Sequence, residues 1–407
     1  MKKIVIITLV ALGLFASCKK EVKKVETTKK LAVSKDLKWS ERMALSEINR
    51  FPDPTLLDFN KKPKWTYTPG LVLQAISRVY EQNKNQELLD YIYKYTDKII
   101  EEDGTIKTYK MSNYNLDMIK SGDIIYYLYN KKNEPKLLKV MDTLHKQLEG
   151  QPTTSEGGYW HKKVYPYQMW LDGVYMAEPF HTKYATTIIK DENVRNNIYD
   201  HIVKQFDLIE KHSKDKSTGL YFHGWDESKE QRWANKETGL SQHFWSRGMG
   251  WYSMALVDVL DYLPKEHEGY NKLIGYLNGF AEAIVKHQDA KTGTWYQVVN
   301  LPNKEGNYIE ATGTSMFTYT LAKGVNKGYL PAKYLENAKK AYQGILDNFI
   351  SVEENGVVNL NRCCAVAGLG GNPYRDGSFE YYIGEKIRAN DPKGTGPFIM
   401  ASLELNK

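Results

Sequence analysis

Cysteine is scarce in this 407-residue sequence, which contains only three. Cys363 and Cys364 are adjacent, and a disulfide between neighbours requires a strained geometry, so we expect two free thiols. No group of Cys and His residues has the spacing of zinc ligands, and no glycine-rich segment has the form of a nucleotide-binding loop. The sequence therefore predicts no disulfide framework, no metal site and no cofactor.

Long apolar runs are also absent, apart from one near the N-terminus. Residues 4–17 carry no charge, follow Lys2 and Lys3, and are too few to form a permanent membrane span. A basic start, a short apolar core and small residues after it are typical of a secretory signal. Because the run ends in Leu-Phe-Ala-Ser before Cys18, we expect residues 1–17 to be a lipoprotein signal peptide and Cys18 to be acylated. An ordinary signal followed by a chance cysteine is the alternative.

Residues 18–38 are predicted to be a lysine-rich tether. From residue 19 onwards this segment holds eight Lys and three acidic residues but no aromatic residue, so it cannot bury enough surface to fold alone. Without it and the signal's two lysines, basic and acidic residues are equal in number. The net charge of +7 therefore indicates a leash near an anionic membrane face rather than nucleic-acid binding. We expect an exported outer-membrane lipoprotein that faces the periplasm.

No linker rich in Pro, Gly or Ser divides residues 39–407, so we expect one catalytic domain there. Amphipathic helical segments with one charged face alternate with charge-poor helical segments. Six charge-poor segments each begin near a glycine: Gly70, Gly122, Gly173, Gly248, Gly313 and Gly394. This alternation predicts an all-α fold, an (α/α)6 barrel built as a six-hairpin toroid. Short β-hairpins are expected at the rim, near residues 295–299 and 356–358.

Aromatic residues are abundant, with 30 Tyr and 9 Trp, although most of them are expected to fill the core. Asp172 lies where a charge-poor helix begins, close in sequence to Trp170 and Tyr175. A carboxyl beside indole rings loses solvation, so we expect its pKa to rise, as a proton donor at neutral pH requires. The alternative is that Asp172 caps the helix.

Two further polar clusters lie at corresponding helix starts. Arg247 stands between Trp245 and Trp251 in a glycine-rich turn, where it could bind a carboxylate while the rings stack on a sugar. A stacked, purely structural arginine is the alternative. Asp117 has the equivalent position before an earlier inner helix. Because a toroid brings such helix starts together, the clusters predict one sugar-binding pocket.

These motifs resemble the unsaturated rhamnogalacturonyl hydrolases, glycoside hydrolase family 105, and more distantly the unsaturated glucuronyl hydrolases. The resemblance covers nearly all of residues 39–407, and its most specific parts are the segments WLDGVYM (170–176), HGWD (223–226), FWSRGMGW (244–251), WYQV (295–298) and GTGPF (394–398). Gly248 and Met249 depart from the Ala or Ser, then Asn or Ile, that members often have after the arginine. This departure bears on the pocket floor and not on the reaction.

The resemblance implies an (α/α)6 glycosidase that hydrates the C4=C5 vinyl ether of the unsaturated uronate left by a polysaccharide lyase. Asp172 matches the catalytic residue, which protonates C4 and then activates water for attack at C5, and Asp117 matches an assisting carboxylate. The expected substrate-binding residues are His161, Lys162, Trp170, His223, Trp245, Arg247 and Trp251. Either Lys162 or Arg247 is expected to hold the substrate carboxylate.

Several alternatives stay open at this point. A conventional inverting glycosidase would use two carboxyls as separate acid and base, a polysaccharide lyase can share the fold, and an inactive glycan-binding lipoprotein would also explain the aromatics. The glycan could be pectic rhamnogalacturonan or ulvan, and the terminal uronate could derive from glucuronate or galacturonate. We expect preference to reside in residues 361–376. The sequence does not predict the oligomeric state.

Overall fold

The computed structural model describes residues 32–406, so the predicted signal peptide, Cys18 and most of the tether lie outside the described residues. In the described part, the helices are α1 (Trp39–Arg50), α2 (Tyr67–Asn83), α3 (Gln86–Ile99), α4 (Gly122–Lys132), α5 (Pro135–Glu149), α6 (Leu171–Thr187), α7 (Glu192–His212), α8 (Ser246–Val259), α9 (Glu268–Val285), α10 (Ala311–Asn326), α11 (Tyr334–Asn348), α12 (Phe379–Gly384) and α13 (Pro392–Leu405). None of the helices in residues 32–406 has the length and apolar character needed to cross a membrane.

Six helices form a closed inner ring. Each of α2, α4, α6, α8 and α10 contacts the next one, and α13 contacts both α10 and α2. The outer helices α3, α5, α7, α9 and α11 each pack on the inner helix that precedes them, and α1 packs on α13. The first and last long helices thus complete the sixth hairpin, and the predicted (α/α)6 barrel is confirmed.

The sequence explains which helices are inside. Every residue of α8 is buried, as are nearly all of α10 and α13, and a helix enclosed on all sides must be poor in charge. Outer helices bury one face only, as α3 does with Leu88, Tyr91 and Tyr95. Close approach of neighbouring inner helices requires glycine, because a Cβ on Gly313 would lie 2.6 Å from the Ser246 side chain.

Several charges of the inner helices are paired near the C-terminal ends of those helices. Lys323 Nζ lies 2.5 Å from Asp258 Oδ1, the Tyr319 hydroxyl donates to the same oxygen at 2.6 Å, and Arg78 approaches it at 3.5 Å. Burial alone raises the pKa of Asp258, but Lys323 and Arg78 outweigh it and hold that pKa well below its ordinary value. A buried carboxylate of this kind depends on its cationic partners.

The strands are short and lie in three antiparallel pairs. They are β1 (Gln168–Trp170) with β2 (Gly224–Asp226), β3 (Ile350–Val352) with β4 (Val358–Leu360), and β5 (Cys363–Cys364) with β6 (Ile387–Arg388). The hairpin expected near residues 356–358 is present. Residues 295–299 instead make only isolated bridges, because Trp295 and Val298 are fully buried against the barrel. Both thiols of β5 are free and buried, as expected.

The folded domain begins earlier than predicted. Val33 falls within the predicted tether, yet it is buried, and its N–H donates to the carbonyl of Asn355 at 2.9 Å. An apolar side chain with such a backbone partner belongs to the barrel. The boundary at residue 39 is therefore too late by several residues.

Candidate active site

A pocket of about 300 Å³ opens where the inner helices begin. It contains five of the residues that the sequence singled out: Asp117, His161, Lys162, Trp170 and Asp172. These residues come from the turn before α4, from the loop between α5 and β1, and from the start of α6. The structure therefore brings together both predicted carboxyls and part of the predicted sugar-binding set.

Asp172 lies in the first turn of α6 and does not cap it. The N-cap position belongs to Trp170, whose side chain makes no capping hydrogen bond. Asp172 Oδ2 is 3.2 Å from His223 Nε2, a close contact without hydrogen-bond geometry, and neither atom has a hydrogen-bond partner in residues 32–406. The pairing of β1 with β2 and a hydrogen bond from Leu171 N to the carbonyl of His223 (3.0 Å) hold the two segments in this register.

The protonation of Asp172 differs from the sequence-based expectation. Burial by itself raises the pKa of the Asp172 carboxyl, as the nearby indoles suggested. The His223 ring lowers this pKa, His161 and Arg247 lower it further, and the net pKa lies below the ordinary value. The expected rise is therefore wrong for the ligand-free protein, because nearby nitrogen groups outweigh the loss of solvation.

Asp117 lies opposite a lysine and a histidine. Its 3₁₀ turn, Leu116–Met118, is closed by the Asn115 side chain, which accepts from Asp117 N at 3.0 Å. Lys162 Nζ is 2.5 Å from Asp117 Oδ2, and His161 Nε2 is 3.4 Å from Asp117 Oδ1. Burial lowers the pKa of His161 to about 4, so its imidazole is neutral at pH 7. Asp117 is thus paired with Lys162.

Stacked rings form one wall of the pocket. The Trp170 ring packs against His161 (centroids 4.7 Å apart) and against Tyr165 (5.0 Å), with interplanar angles of 20° and 17°. Flat, amphipathic faces of this kind suit a sugar ring. Sequence reasoning missed Tyr165, although it lies in the aromatic stretch around Asp172. It also did not single out Arg375, which lines the pocket from within residues 361–376.

The remaining predicted residues lie behind the pocket and do not line it. The structure buries His223, Trp245, Arg247 and Trp251 almost completely. Trp245 packs on His223 (centroids 4.6 Å apart) and carries the Arg247 guanidinium 4.5 Å above its ring. Trp251 instead stacks on Tyr175 in the core. These side chains support the wall from which Asp172 projects.

Two details of this supporting layer bear on the chemistry. Arg247 donates to the carbonyl of Cys364, which matches the structural alternative for this arginine and leaves Lys162 as the candidate at the pocket surface. His223 Nδ1 is 2.8 Å from the hydroxyl of Tyr382, a residue that no sequence signal indicated. Burial holds the pKa of Tyr382 well above its ordinary value, so its phenol keeps its proton.

The chain is similar to known glycosidases along most of its length. The sequence model of glycosyl hydrolase family 88 matches residues 39–407. A family 105 glycoside hydrolase of C. acetobutylicum is 45% identical, with a TM-score of 0.86 over 91% of this chain and 99% of that one. An unsaturated rhamnogalacturonyl hydrolase of Bacillus subtilis, YesR, is 24% identical over 79% of this chain and 85% of its own.

A more distant relative carries another substrate name. The unsaturated 3S-rhamnoglycuronyl hydrolase of Formosa agariphila is 26% identical over 58% of this chain and 57% of its own. The family model and the 45% identical structure both span most of the chain. The chain therefore belongs to the glycosidases that the glycosyl hydrolase family 88 model describes, and it is a member of glycoside hydrolase family 105, the family that its motifs resemble.

Proposed function

We propose that the protein removes the 4,5-unsaturated uronic acid from the non-reducing end of lyase-generated oligosaccharides by hydrating its C4=C5 double bond. The observation that carries this proposal is the contrast between the two pocket carboxyls. Within residues 32–406, the one ion-pair contact of Asp172 is with the imidazole of His223, whereas Asp117 is already paired with Lys162. An inverting glycosidase needs two carboxyls with separate roles, acid and base. One available carboxyl favours a reaction in which a single group performs both proton transfers.

In the proposed reaction the protonated Asp172 gives its proton to C4 as the double bond opens. The positive charge that develops at C5 is shared with the ring oxygen. Asp172, now a carboxylate, accepts a proton from water while the water oxygen bonds to C5, and this step regenerates the acid. The hemiketal that results opens and releases the remaining sugar.

Asp172 must be protonated before the first step, although its pKa in the ligand-free protein is below the ordinary value. The substrate brings a carboxylate of its own into the pocket. A second negative charge and the exclusion of water both raise the pKa of a neighbouring carboxyl. We therefore expect substrate binding to prepare Asp172 as an acid. We assign Lys162 to the substrate carboxylate, because it lies at the pocket surface and Arg247 does not.

The test is the ultraviolet absorbance of the conjugated uronate, followed over time with lyase-digested pectin and ulvan. We expect the wild type to remove the band and Asp172→Asn to leave it intact. Asp97→Asn, on the exposed face of α3, makes the same charge change away from the pocket and should act like the wild type. Turnover of a saturated oligosaccharide would instead support the inverting glycosidase. Binding of unsaturated sugars without turnover would support the inactive glycan-binding protein.

The glycan source follows from the same experiment. The similarity to the unsaturated rhamnogalacturonyl hydrolase of B. subtilis supports a rhamnogalacturonan-type substrate, and the similarity to the unsaturated 3S-rhamnoglycuronyl hydrolase of F. agariphila supports a sulfated rhamnose-type substrate. The substrate that wild-type protein consumes with the higher kcat/KM identifies the class. Digests that differ only in the configuration of the uronate separate a glucuronate from a galacturonate origin.

We also propose that the protein is exported and held at the periplasmic face of the outer membrane by a lipid on Cys18. The charge-free run after Lys2 and Lys3 and the lysine-rich tether support this proposal. Cells fed a labelled fatty acid should label the wild type and the control Cys363→Ser but not Cys18→Ser. Proteolysis of intact cells distinguishes the two faces, and rapid digestion would refute a periplasmic location.

A further inference from the structure

One arginine of the pocket wall is held in place without an acidic partner. Arg375 Nε donates to the carbonyl of Gly370 at 2.8 Å, and its Nη2 donates to the Tyr165 hydroxyl at 2.9 Å and to the Leu369 carbonyl at 3.1 Å. Within residues 32–406, no carboxylate oxygen lies within 4.0 Å of this guanidinium, and its Nη1 has no hydrogen-bond partner. The group is therefore oriented but keeps its full positive charge.

The other basic groups at the pocket are either assigned already or not held in position. Lys64 lines the pocket, but within residues 32–406 no hydrogen bond or ion pair orients its ammonium group. Lys162 is paired with Asp117 at 2.5 Å and is assigned to the uronate carboxylate, and Arg247 is buried behind Trp245, where it donates to a backbone carbonyl. A planar guanidinium that neutral acceptors hold in position is suited to an anionic oxygen group, because little conformational freedom is lost when the anion binds. Arg375 thus provides an uncompensated, pre-oriented cation on the wall of this pocket.

The position of Arg375 indicates which part of a substrate it meets. Arg375 is hydrogen bonded to Tyr165, and Tyr165 stacks on Trp170. The other neighbour of Trp170 in this series of contacts is His161, which lies beside Asp117. Arg375 is therefore connected to the outer ring of the aromatic wall, not to the carboxyls. We propose that Arg375 forms an anion subsite for the leaving sugar, binding a sulfate ester or carboxylate on that sugar. This inference rests on the proposed function of the site.

The test compares three unsaturated disaccharides whose leaving sugar carries a sulfate ester, a carboxylate or no charge. The variants are Arg375→Ala, Arg375→Lys and the control Arg232→Ala. Arg232 stacks on Tyr374 beside the same segment but does not line the pocket. A hydrogen bond to a charged group changes affinity by about 10–100-fold. Arg375→Ala should therefore lose about 10–100-fold in kcat/KM on substrates with a charged leaving sugar. Most of the loss should appear in KM, since binding rather than chemistry is affected.

Turnover of the uncharged disaccharide by Arg375→Ala should fall less than turnover of the charged ones, and circular dichroism checks that the variant is folded. Arg375→Lys should lose less than Arg375→Ala, because it keeps the charge but not the planar fork. A loss on only one charged substrate identifies whether sulfate or carboxylate is the ligand. Equal losses on all three substrates, or no loss on any, would overturn the inference.

Failure of the proposed function would be seen separately, as a wild type that consumes none of the three disaccharides. In that case, binding measurements alone test the anion subsite. Calorimetric titration of the Asp172→Asn protein, with and without Arg375→Ala, should show weaker binding of the charged disaccharides only. Identical affinities in the two proteins would reject the anion subsite whatever reaction the site performs.

Discussion

The contact between His223 and Asp172 leads to a quantitative prediction about pH dependence. His223 Nε2 lies 3.2 Å from Asp172 Oδ2, and this ring is the group that most lowers the pKa of the carboxyl. Replacing His223 with Leu removes the imidazole and keeps an apolar side chain in a fully buried position. We expect the pKa of Asp172 to rise, because burial then acts with less opposition.

The size of the shift follows from the energy of the lost contact. A polar contact to a charged group contributes at most about 1.5–3 kcal/mol, so its loss should favour the protonated form of Asp172 by up to about 10–100-fold. The proposed first step needs protonated Asp172, so kcat/KM falls as pH rises above the pKa of the free enzyme. In the wild type this fall should extend over the whole range from about pH 5 to about pH 8. In His223→Leu the fall should begin at a higher pH than in the wild type.

The assay is the loss of uronate absorbance, measured as kcat/KM across this pH range, with folding checked by circular dichroism. His287→Leu serves as a control, because His287 is half-buried at the end of α9 and does not line the pocket. The maximum rate of His223→Leu should fall, since Asp172 loses its orienting neighbour. If His223→Leu is folded and its kcat/KM falls over the same pH range as that of the wild type, the role given to His223 is refuted.

Three further predictions follow from contacts around the site and in the core. Tyr382→Phe removes the partner of His223 Nδ1, which should shift the pH limb upward by less than His223→Leu and cost about 1 kcal/mol of stability, measured by urea unfolding. Lys162→Met should raise KM at least about tenfold for every unsaturated substrate, whereas an unchanged KM would place the substrate carboxylate elsewhere. Lys323→Met leaves Asp258 buried without its closest cation, so the free energy of unfolding at pH 7 should fall by about 3–5 kcal/mol. A fall of less than about 1 kcal/mol would contradict the pairing.

The barrel was predictable because burial limits how many charged residues a helix can contain. A helix surrounded by others cannot carry unpaired charge, so the inner helices α8, α10 and α13 are visible in the sequence as charge-poor segments. The outer helices are visible as segments with one apolar face. The strands were less predictable: β1 and β2 are three residues each and pair across more than fifty residues of chain, for which local sequence has no signal.

The candidate site was predictable only in part. Asp172, Trp170 and His161 are close along the chain, and a local motif therefore identifies them together. Arg375 and Tyr382 join the site from far away, with Arg375 separated by 210 residues from its partner Tyr165. Contacts of that length depend on the closure of the barrel, and no spacing in the sequence encodes them.

By itself the sequence determined the helical toroid, the family, and the carboxyls and rings that its motifs contain. Only the tertiary structure decided which of those side chains reach the pocket and which support it from behind, as Arg247 does. It also decided the direction of the pKa shift of Asp172. The physical reason is that solvation and charge act through space: His223 is distant from Asp172 along the chain but 3.2 Å away in the fold, where it outweighs the indoles beside the carboxyl in sequence.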